Sequence, residues 1–383
     1  MPQHDSGMFN ANAMKLAIFG SNCSGGLAIT KVPERWRAGW DENISLAKLC
    51  DQAGIEAMVP VGRWKGFGGE TNFAGSSFET ITWACGLLGE TSDITIFGTV
   101  HAPLFHPILA AKQIVTADHI GRGRFGLNIV CGWNTDEFEM FGVTPLPDRR
   151  YDYGQEWWNV VKQIWSADAP FDFDGEFLKL KRVEGEPRPY QNGRVMMMNA
   201  GSSPAGRAFA IRNSDFHFDV CRNLDGALER VKETKRLARE YGHAIQVFTP
   251  AYIVCRPSRR EAEDYFQYFA SDNADSEALD HMVGMGAATH ESMSAEFLRQ
   301  FRANAAAGYG GSIGVVGDPD HVAGEFKSIH AAGFDGLAIG FVNYLAEIPY
   351  FIQEVLPRLE RAGLRQPMTH RPRGPAAARR NRR

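Results

Sequence analysis

The feature that most constrains this chain is an alternation. Short apolar runs at 15–20, 55–61, 94–100, 125–131, 195–200, 215–220, 246–254 and 336–341 are separated by stretches with helical spacing. Each run is too short for a buried helix and reads as a strand covered on both faces. Helices are expected at 41–53, 77–89, 107–119, 151–165, 204–212, 225–241, 258–270, 318–332 and 348–361. Asp41 can cap the first, Gly54 ends it, and Pro357 kinks or divides the last. Strand and helix repeated in this order predict a parallel sheet, and eight such units predict a closed TIM (β/α)8 barrel. An open doubly wound sheet is the runner-up. Ligands of such a barrel gather where the strands end.

One domain is expected over 14–363, with two insertions. Residues 167–193 carry FDFDGEFLKL and predict a hairpin excursion. Residues 271–316 are rich in Gly, Ala and Met and predict an irregular, mobile segment. A leader at 1–13 and a Pro- and Arg-rich basic tail at 364–383 are expected to be disordered.

Hydrophobic residues make up 44% of the chain, enough for a large core, and the formal net charge is -4. That balance gives no pull toward nucleic acid or an anionic membrane, and the terminal arginines read as solvating. Six cysteines without a CxxC pair suggest free thiols in a reducing compartment. The polar start and the lack of a long apolar run predict a soluble cytoplasmic protein. Eleven histidines show no metal-ligand spacing, and no GxSxG occurs, so neither a metal centre nor a hydrolase elbow is expected.

The informative stretch is 123–139, GRFGLNIVCGWNTDEFE. Its strand is apolar except for Gly126 and Asn128. An unpaired buried amide costs about 1–3 kcal/mol, so Asn128 either pins a neighbouring loop or faces a ligand. The segment GRGRFG at 121–126 matches GxGxxG but lies between a helix and a strand. A dinucleotide fingerprint needs the reverse order, so this is a tight turn, and no nicotinamide site is recognisable.

The segment NAGSSPAG at 199–206 does have the strand-to-helix order. Its small residues and helix start suit a phosphate, with Ser202 and Ser203 as hydroxyl donors; a plain capped helix reads equally well. Arg150 and Tyr151 suit a phosphate clamp, or form part of a solvated surface pair with Arg149. His101 ends the third strand after Thr99, as a proton-transfer group or as a structural histidine. The loop GRWKGFGGETNFAG at 62–75 is a lid over a planar ligand or a structural connection.

Taken together, GRFGLNIVCGW, Glu137, RRYDY and the AGSS turn resemble the flavin-dependent monooxygenases of the bacterial luciferase-like superfamily. Within it the chain is most similar to the pyrimidine oxygenase and dimethylsulfone monooxygenase group. GFGG with Thr71 and Phe73 carries the first likeness; Asn22 to Leu27 and the closing GFVNYLAEIPYFIQEVLPRL carry the second. The resemblance implies a TIM barrel that binds reduced FMN, supplied by a separate reductase, and uses O2 on a small organic substrate. It implies flavin contacts at Gly62, Arg63, Asn128, Glu137, Arg150 and Tyr151, and at Ala200, Gly201, Ser202 and Ser203 of the turn. Thr99 and Asn128 would border the oxygen pocket, and His101 would position substrate or move a proton. A homodimer or homotetramer is implied as well. The sequence departs from the pyrimidine oxygenase at Arg63, Trp64, Lys65 and His101, which bears on the substrate more than on the cofactor. The alternatives are a deazaflavin-dependent dehydrogenase and a non-catalytic flavin-binding barrel.

Overall fold

A computed structural model describes residues 6–144, 146, 148–190, 193–289 and 312–367. Its strands are β1 (Lys15–Phe19), β2 (Ala57–Val59), β3 (Thr95–His101), β4 (Phe125–Val130), β5 (Phe171–Asp174), β6 (Lys179–Val183), β7 (Met196–Asn199), β8 (Phe216–Phe218), β9 (Gln246–Cys255), β10 (Ile313–Gly317) and β11 (Gly336–Gly340). The helices are α1 (Trp40–Ala53), α2 (Thr80–Glu90), α3 (Pro107–Gly121), α4 (Thr135–Met140), α5 (Arg150–Ser166), α6 (Pro204–Asn213), α7 (Ala227–Glu240), α8 (Arg259–Gln267), α9 (Ser276–Thr289), α10 (Pro319–Ala331), α11 (Tyr344–Glu354) and α12 (Leu356–Arg361).

The parallel strands run in the order β9-β11-β1-β2-β3-β4-β7-β8, and β8 pairs back with β9 to close the barrel. Period-two alternation explains the buried runs. Ala17, Phe19, Val59, Phe97, Met196, Met198, Phe216, Phe218 and Phe248 fill the interior as one apolar cluster. Their neighbours Leu16, Ile18, Ile96, Leu127, Ile129, Met197 and Leu337 point outward under the helices. The excursion over 167–193 contains the antiparallel hairpin β5–β6, as its sequence predicts.

Several boundaries depart from expectation. Helix α1 starts one residue early: Gly39 caps it, and the Glu42 carboxylate accepts the Gly39 N–H at 2.8 Å, which leaves Asp41 in the first turn. Helix α2 begins at Thr80 because Glu79 caps it, while Ser77 bridges Cys23 in extended conformation. Pro357 divides the final helical stretch in two.

The insertion at 271–316 is not irregular throughout. Asp275 precedes the helix α9, and β10 runs parallel to Ala251–Cys255 of β9 as a ninth strand. The stretch 290–311 lies outside the described residues. Nor does the disorder expected at 1–13 and from 364 extend to the residues next to the barrel. Met8 is fully buried in the interior cluster, and Ser6 hydrogen-bonds Thr95 at 2.7 Å. Asn12 and Arg365 both bind the buried Glu56, the latter at 2.8 Å, so the two ends of the domain together close the floor of the barrel. Residues 1–5 and 368–383 lie outside the described residues.

Candidate active site at the barrel mouth

Thr99 and Asn128 are register partners on β3 and β4, so their side chains lie together on the inner face. The Thr99 hydroxyl donates to the Pro60 carbonyl at 2.9 Å and accepts the Asn128 Nδ2–H at 3.2 Å. Thr80 fixes the backbone from outside, accepting the Thr99 N–H at 3.0 Å and donating to the Thr99 carbonyl at 2.6 Å. Asn128 is 8% exposed, and its Oδ1 has no hydrogen-bond partner. The buried amide therefore binds Thr99 on one side and offers an orphaned acceptor on the other.

Gly62 is where β2's exit crosses this pair. A Cβ there would sit 2.7 Å from His101 Cε1 and 2.9 Å from Thr99 Cγ2, so only glycine lets the loop pass. His101 is 4% exposed; burial, with the Arg63 charge adding to it, pushes its imidazole down to about 3. It is a neutral ring at neutral pH, which suits hydrogen bonding to a ligand and not proton delivery as an imidazolium.

Arg63 and Glu137 form a buried ion pair at 3.1 Å. The same Glu137 oxygen accepts the backbone N–H groups of Trp64 at 2.8 Å and Lys65 at 3.3 Å. The guanidinium lies 4.8 Å from the Phe67 ring centroid and 5.0 Å from that of Trp133. The Arg63–Glu137 pair thus holds the loop from Gly62 to Lys65 against the short helix α4, which the sequence reading did not find.

The loop at 62–75 is fastened in turn to α9. Asp275 accepts from both the backbone N–H and the hydroxyl of Thr71 at 2.7 Å, and His281 Nδ1 meets the Phe67 carbonyl at 2.8 Å. Ala278, Leu279 and Met282 of α9 join Phe67, Phe73, Phe19 and Phe218 in the interior cluster. Loop and helix therefore pack as one apolar layer against Phe19 and Phe218 at the ends of β1 and β8.

Beside Asn128, β7 ends in the turn at 199–203. The Asn199 carboxamide donates to the Ile129 carbonyl at 2.7 Å and accepts the Gly201 N–H at 2.8 Å. His217 Nε2 lies 3.2 Å from the Gly201 carbonyl. A carbonyl only accepts, so Nε2 carries the proton. The Gly201 peptide is thus held at both ends. Ala200 and Ser202 are exposed at the rim. Ser203 caps α6, accepting the Gly206 N–H at 3.2 Å, and its side chain also hydrogen-bonds Tyr151. Added Cβ atoms would lie 2.6 Å from Gly206 at Gly201, and 2.3 Å from the Tyr151 hydroxyl at Gly206. The small residues are required by this packing.

The two adjacent arginines separate in role. Arg149 is exposed and bound by Asp152 and Glu176 at 2.6 and 2.8 Å. Arg150 is half-buried, donates to the Gly132 carbonyl at 3.0 Å, and has no carboxylate partner among the described residues. The turn and Tyr151 lie next to this cation along the chain and in space, and β7, which leads into the turn, pairs with β4 at Asn128 and Met198.

Gly62 and Arg63 follow β2, Thr99 and His101 end β3, Asn128 lies in β4 with Glu137, Arg150 and Tyr151 after it, and residues 200–203 follow β7; the GRGRFG turn instead leads into the start of β4. Pro60, Thr80, Asn199, His217 and Asp275, which position their neighbours, were not among the residues expected from the sequence. Only Asn199 had a signal, a second amide ending an apolar run. Among the described residues no cluster suits a metal ion, and no helix is long and apolar enough to cross a membrane.

Comparison with known proteins gives a consistent result. The family model for luciferase-like monooxygenases matches residues 14–336. An FMNH2-dependent dimethylsulfone monooxygenase of Pseudomonas fluorescens is 30% identical over 351 residues, spanning 90% of this chain and 94% of the relative. A pyrimidine monooxygenase of Acinetobacter baylyi is 24% identical over 354 residues, spanning 90% and 94%. The solved structure of DmoA from Hyphomicrobium sulfonivorans superposes with a TM-score of 0.82 at 17% identity, covering 95% of this chain and 91% of that one.

Proposed function

The chain belongs to the luciferase-like monooxygenase family, and from that membership we propose that it is a two-component FMN-dependent monooxygenase. A separate NAD(P)H:flavin reductase supplies reduced FMN. O2 and a small organic substrate are the other reactants, and the bond cleaved is C–N, C–S or C–halogen. The observation that carries the reading is the continuity of the rim: an orphaned buried acceptor at Asn128 adjoins an anion cradle with a carboxylate-free arginine. A phosphate-bearing, planar ligand with a hydrogen-bond donor fits both ends.

In this reading Arg150, Tyr151, Ser203 and the N–H groups of Ser202 and Ser203 hold the phosphate, with Ala200 and Gly201 shaping the turn. Gly62, Asn128 and the Arg63–Glu137 loop line the ring. Reduced FMN, when bound, supplies the electrons that activate O2. Thr99 and Asn128 fix the polar edge of the pocket, and the roof of Phe67, Phe73, Leu279 and Met282 excludes water. His101, a neutral imidazole, orients substrate. We read the assembly as a homodimer or homotetramer, which sedimentation would decide.

The test is anaerobic titration with photoreduced FMN, followed by mixing with O2 and candidate sulfones, pyrimidines or halogenated aromatics. Saturable binding of reduced FMN and oxygen-dependent turnover are expected. Turnover with a reduced deazaflavin and no O2 requirement would replace this reading with a dehydrogenase.

A further inference from the structure

We propose that Asn22 is a positioning residue for the flavin ring: its buried carboxamide sets the height at which Gly62 crosses Thr99 and His101. The inference rests on the flavin reading above and goes beyond it, to a residue that acts through Gly62.

The β1–β2 ladder runs out at Pro60. Phe19 and Val59 are its last register partners, and the Gly20 N–H donates to the Val59 carbonyl at 3.0 Å. Pro60 has no N–H, so the next donor of this strand is that of Val61. In a continued parallel ladder it would meet the Gly20 carbonyl. That carbonyl instead accepts the Cys23 N–H at 3.2 Å, as the chain turns through Ser21 and Asn22.

The Asn22 side chain takes the missing rung. Its Oδ1 accepts the Val61 N–H at 2.9 Å, and its Nδ2 donates to the Val61 carbonyl at 2.9 Å. The other Nδ2 hydrogen goes to the Phe78 carbonyl at 3.3 Å. One donor and one acceptor on Val61 admit only this orientation of the amide. Asn22 is 0% exposed, so its truncation would leave the Val61 peptide unpaired. The loop that carries Asn22 is itself held: Trp36 Nε1 donates to the Ser21 carbonyl at 2.7 Å, and the Tyr344 hydroxyl donates to the Phe19 carbonyl.

Asn22 thus fixes the chain at Val61. Ser77 fixes it again at Arg63, whose carbonyl accepts the Ser77 hydroxyl at 2.9 Å. Gly62 is held between these two points. A Cβ there would lie 2.7 Å from His101 Cε1 and 2.9 Å from Thr99 Cγ2, so the backbone has no slack toward β3. With both flanks pinned, the Gly62 peptide has one height above the β3 side chains. A ring resting on Gly62 inherits that height.

A double-mutant cycle on the full chain tests this. It measures dissociation constants of photoreduced FMN, under anaerobic conditions, for wild type, Asn22→Ala, Gly62→Ala and the double variant. Each single substitution should weaken binding by roughly tenfold. Without the Asn22 clamp the loop can lift off His101 and Thr99, which relieves the clash of Gly62→Ala. The double variant should therefore bind about as weakly as the weaker single variant, well short of the roughly hundredfold loss of independent effects. A merely structural asparagine would give multiplying losses, because its cost does not depend on residue 62. Asn22→Ser, which cannot span both groups of the Val61 peptide, replaces Asn22→Ala in the cycle should the latter not fold. Multiplying losses, or unchanged binding in the Asn22 variant, would overturn the inference and leave the flavin reading standing. Failure of the wild type to bind photoreduced FMN would overturn both.

Discussion

Arg63 and Glu137 meet at 3.1 Å with side chains 1% and 2% exposed, while their neighbours Lys65 and Asp136 pair at the same distance on the surface. The contrast sets the first prediction. Removing one partner of a buried pair strands the other charge, at about 3–5 kcal/mol. An exposed pair is worth about 0–1 kcal/mol. Glu137→Ala should therefore lower the denaturant midpoint severely, and Asp136→Ala hardly at all. Equal effects in urea unfolding would show that the buried pair does not hold the loop.

Gly62 gives a second prediction. A methyl group there meets His101 and Thr99 below 3.0 Å. Overpacking costs about 1–3 kcal/mol in general. Here the displaced atoms also belong to the proposed ring site, so Gly62→Ala should weaken reduced-FMN binding while leaving the fold intact by circular dichroism. Unchanged binding would remove this crossing from the site.

The buried imidazole of His101 predicts a pH effect with a definite sign. Its folded value, about 3, lies below the 6.5 of an unperturbed histidine. Between those values the unfolded chain takes up a proton that the folded chain refuses. Stability contributed by the neutral ring is thus intact above about pH 6.5 and falls as the solution is made more acid. His217, lowered by burial, acts in the same direction. Wild type should lose more stability than His101→Gln between pH 7 and pH 5. An identical loss would show that His101 is not held neutral.

His217 also supplies a prediction about positioning. It holds the Gly201 carbonyl from the outer face of β8 and has no role at the mouth itself. His217→Phe fills the space without the donor. It should weaken FMN more than riboflavin, because only FMN uses the turn's backbone. Equal weakening of both would mark a merely structural histidine.

The parts that were legible in the sequence, and those that were not, differ physically. The barrel was readable because doubly buried strands are uniformly apolar. Asn128 and Asn199 stand out as amides within such runs, although only the first was noticed. Helix α9 went unread: Ala278, Leu279 and Met282 are buried and Glu277, Asp280 and His281 exposed, but Gly284 and the Gly, Ala and Met composition of the stretch masked that short amphipathic pattern. The packing of residues 6–12 depends on Glu56 and Arg365, contacts too distant in sequence for a local pattern to reveal. Thr80 and His217 act through backbone carbonyls, which leave no trace in residue type. The roles of Arg149 and Arg150 separate only when Glu176 is brought beside the first.

In the proposed binding mode one rim holds a flavin ring at Asn128 and its phosphate at Arg150, Tyr151 and Ser203. Anaerobic titration of wild type and Arg150→Ala with reduced FMN and reduced riboflavin tests it most directly. A charge-assisted hydrogen bond contributes about 1.5–3 kcal/mol, so wild type should prefer FMN by roughly ten- to a hundredfold. Arg150→Ala should lose most of that preference while keeping its affinity for riboflavin. Equal wild-type affinity for the two flavins, or a preference untouched by the substitution, would contradict the account.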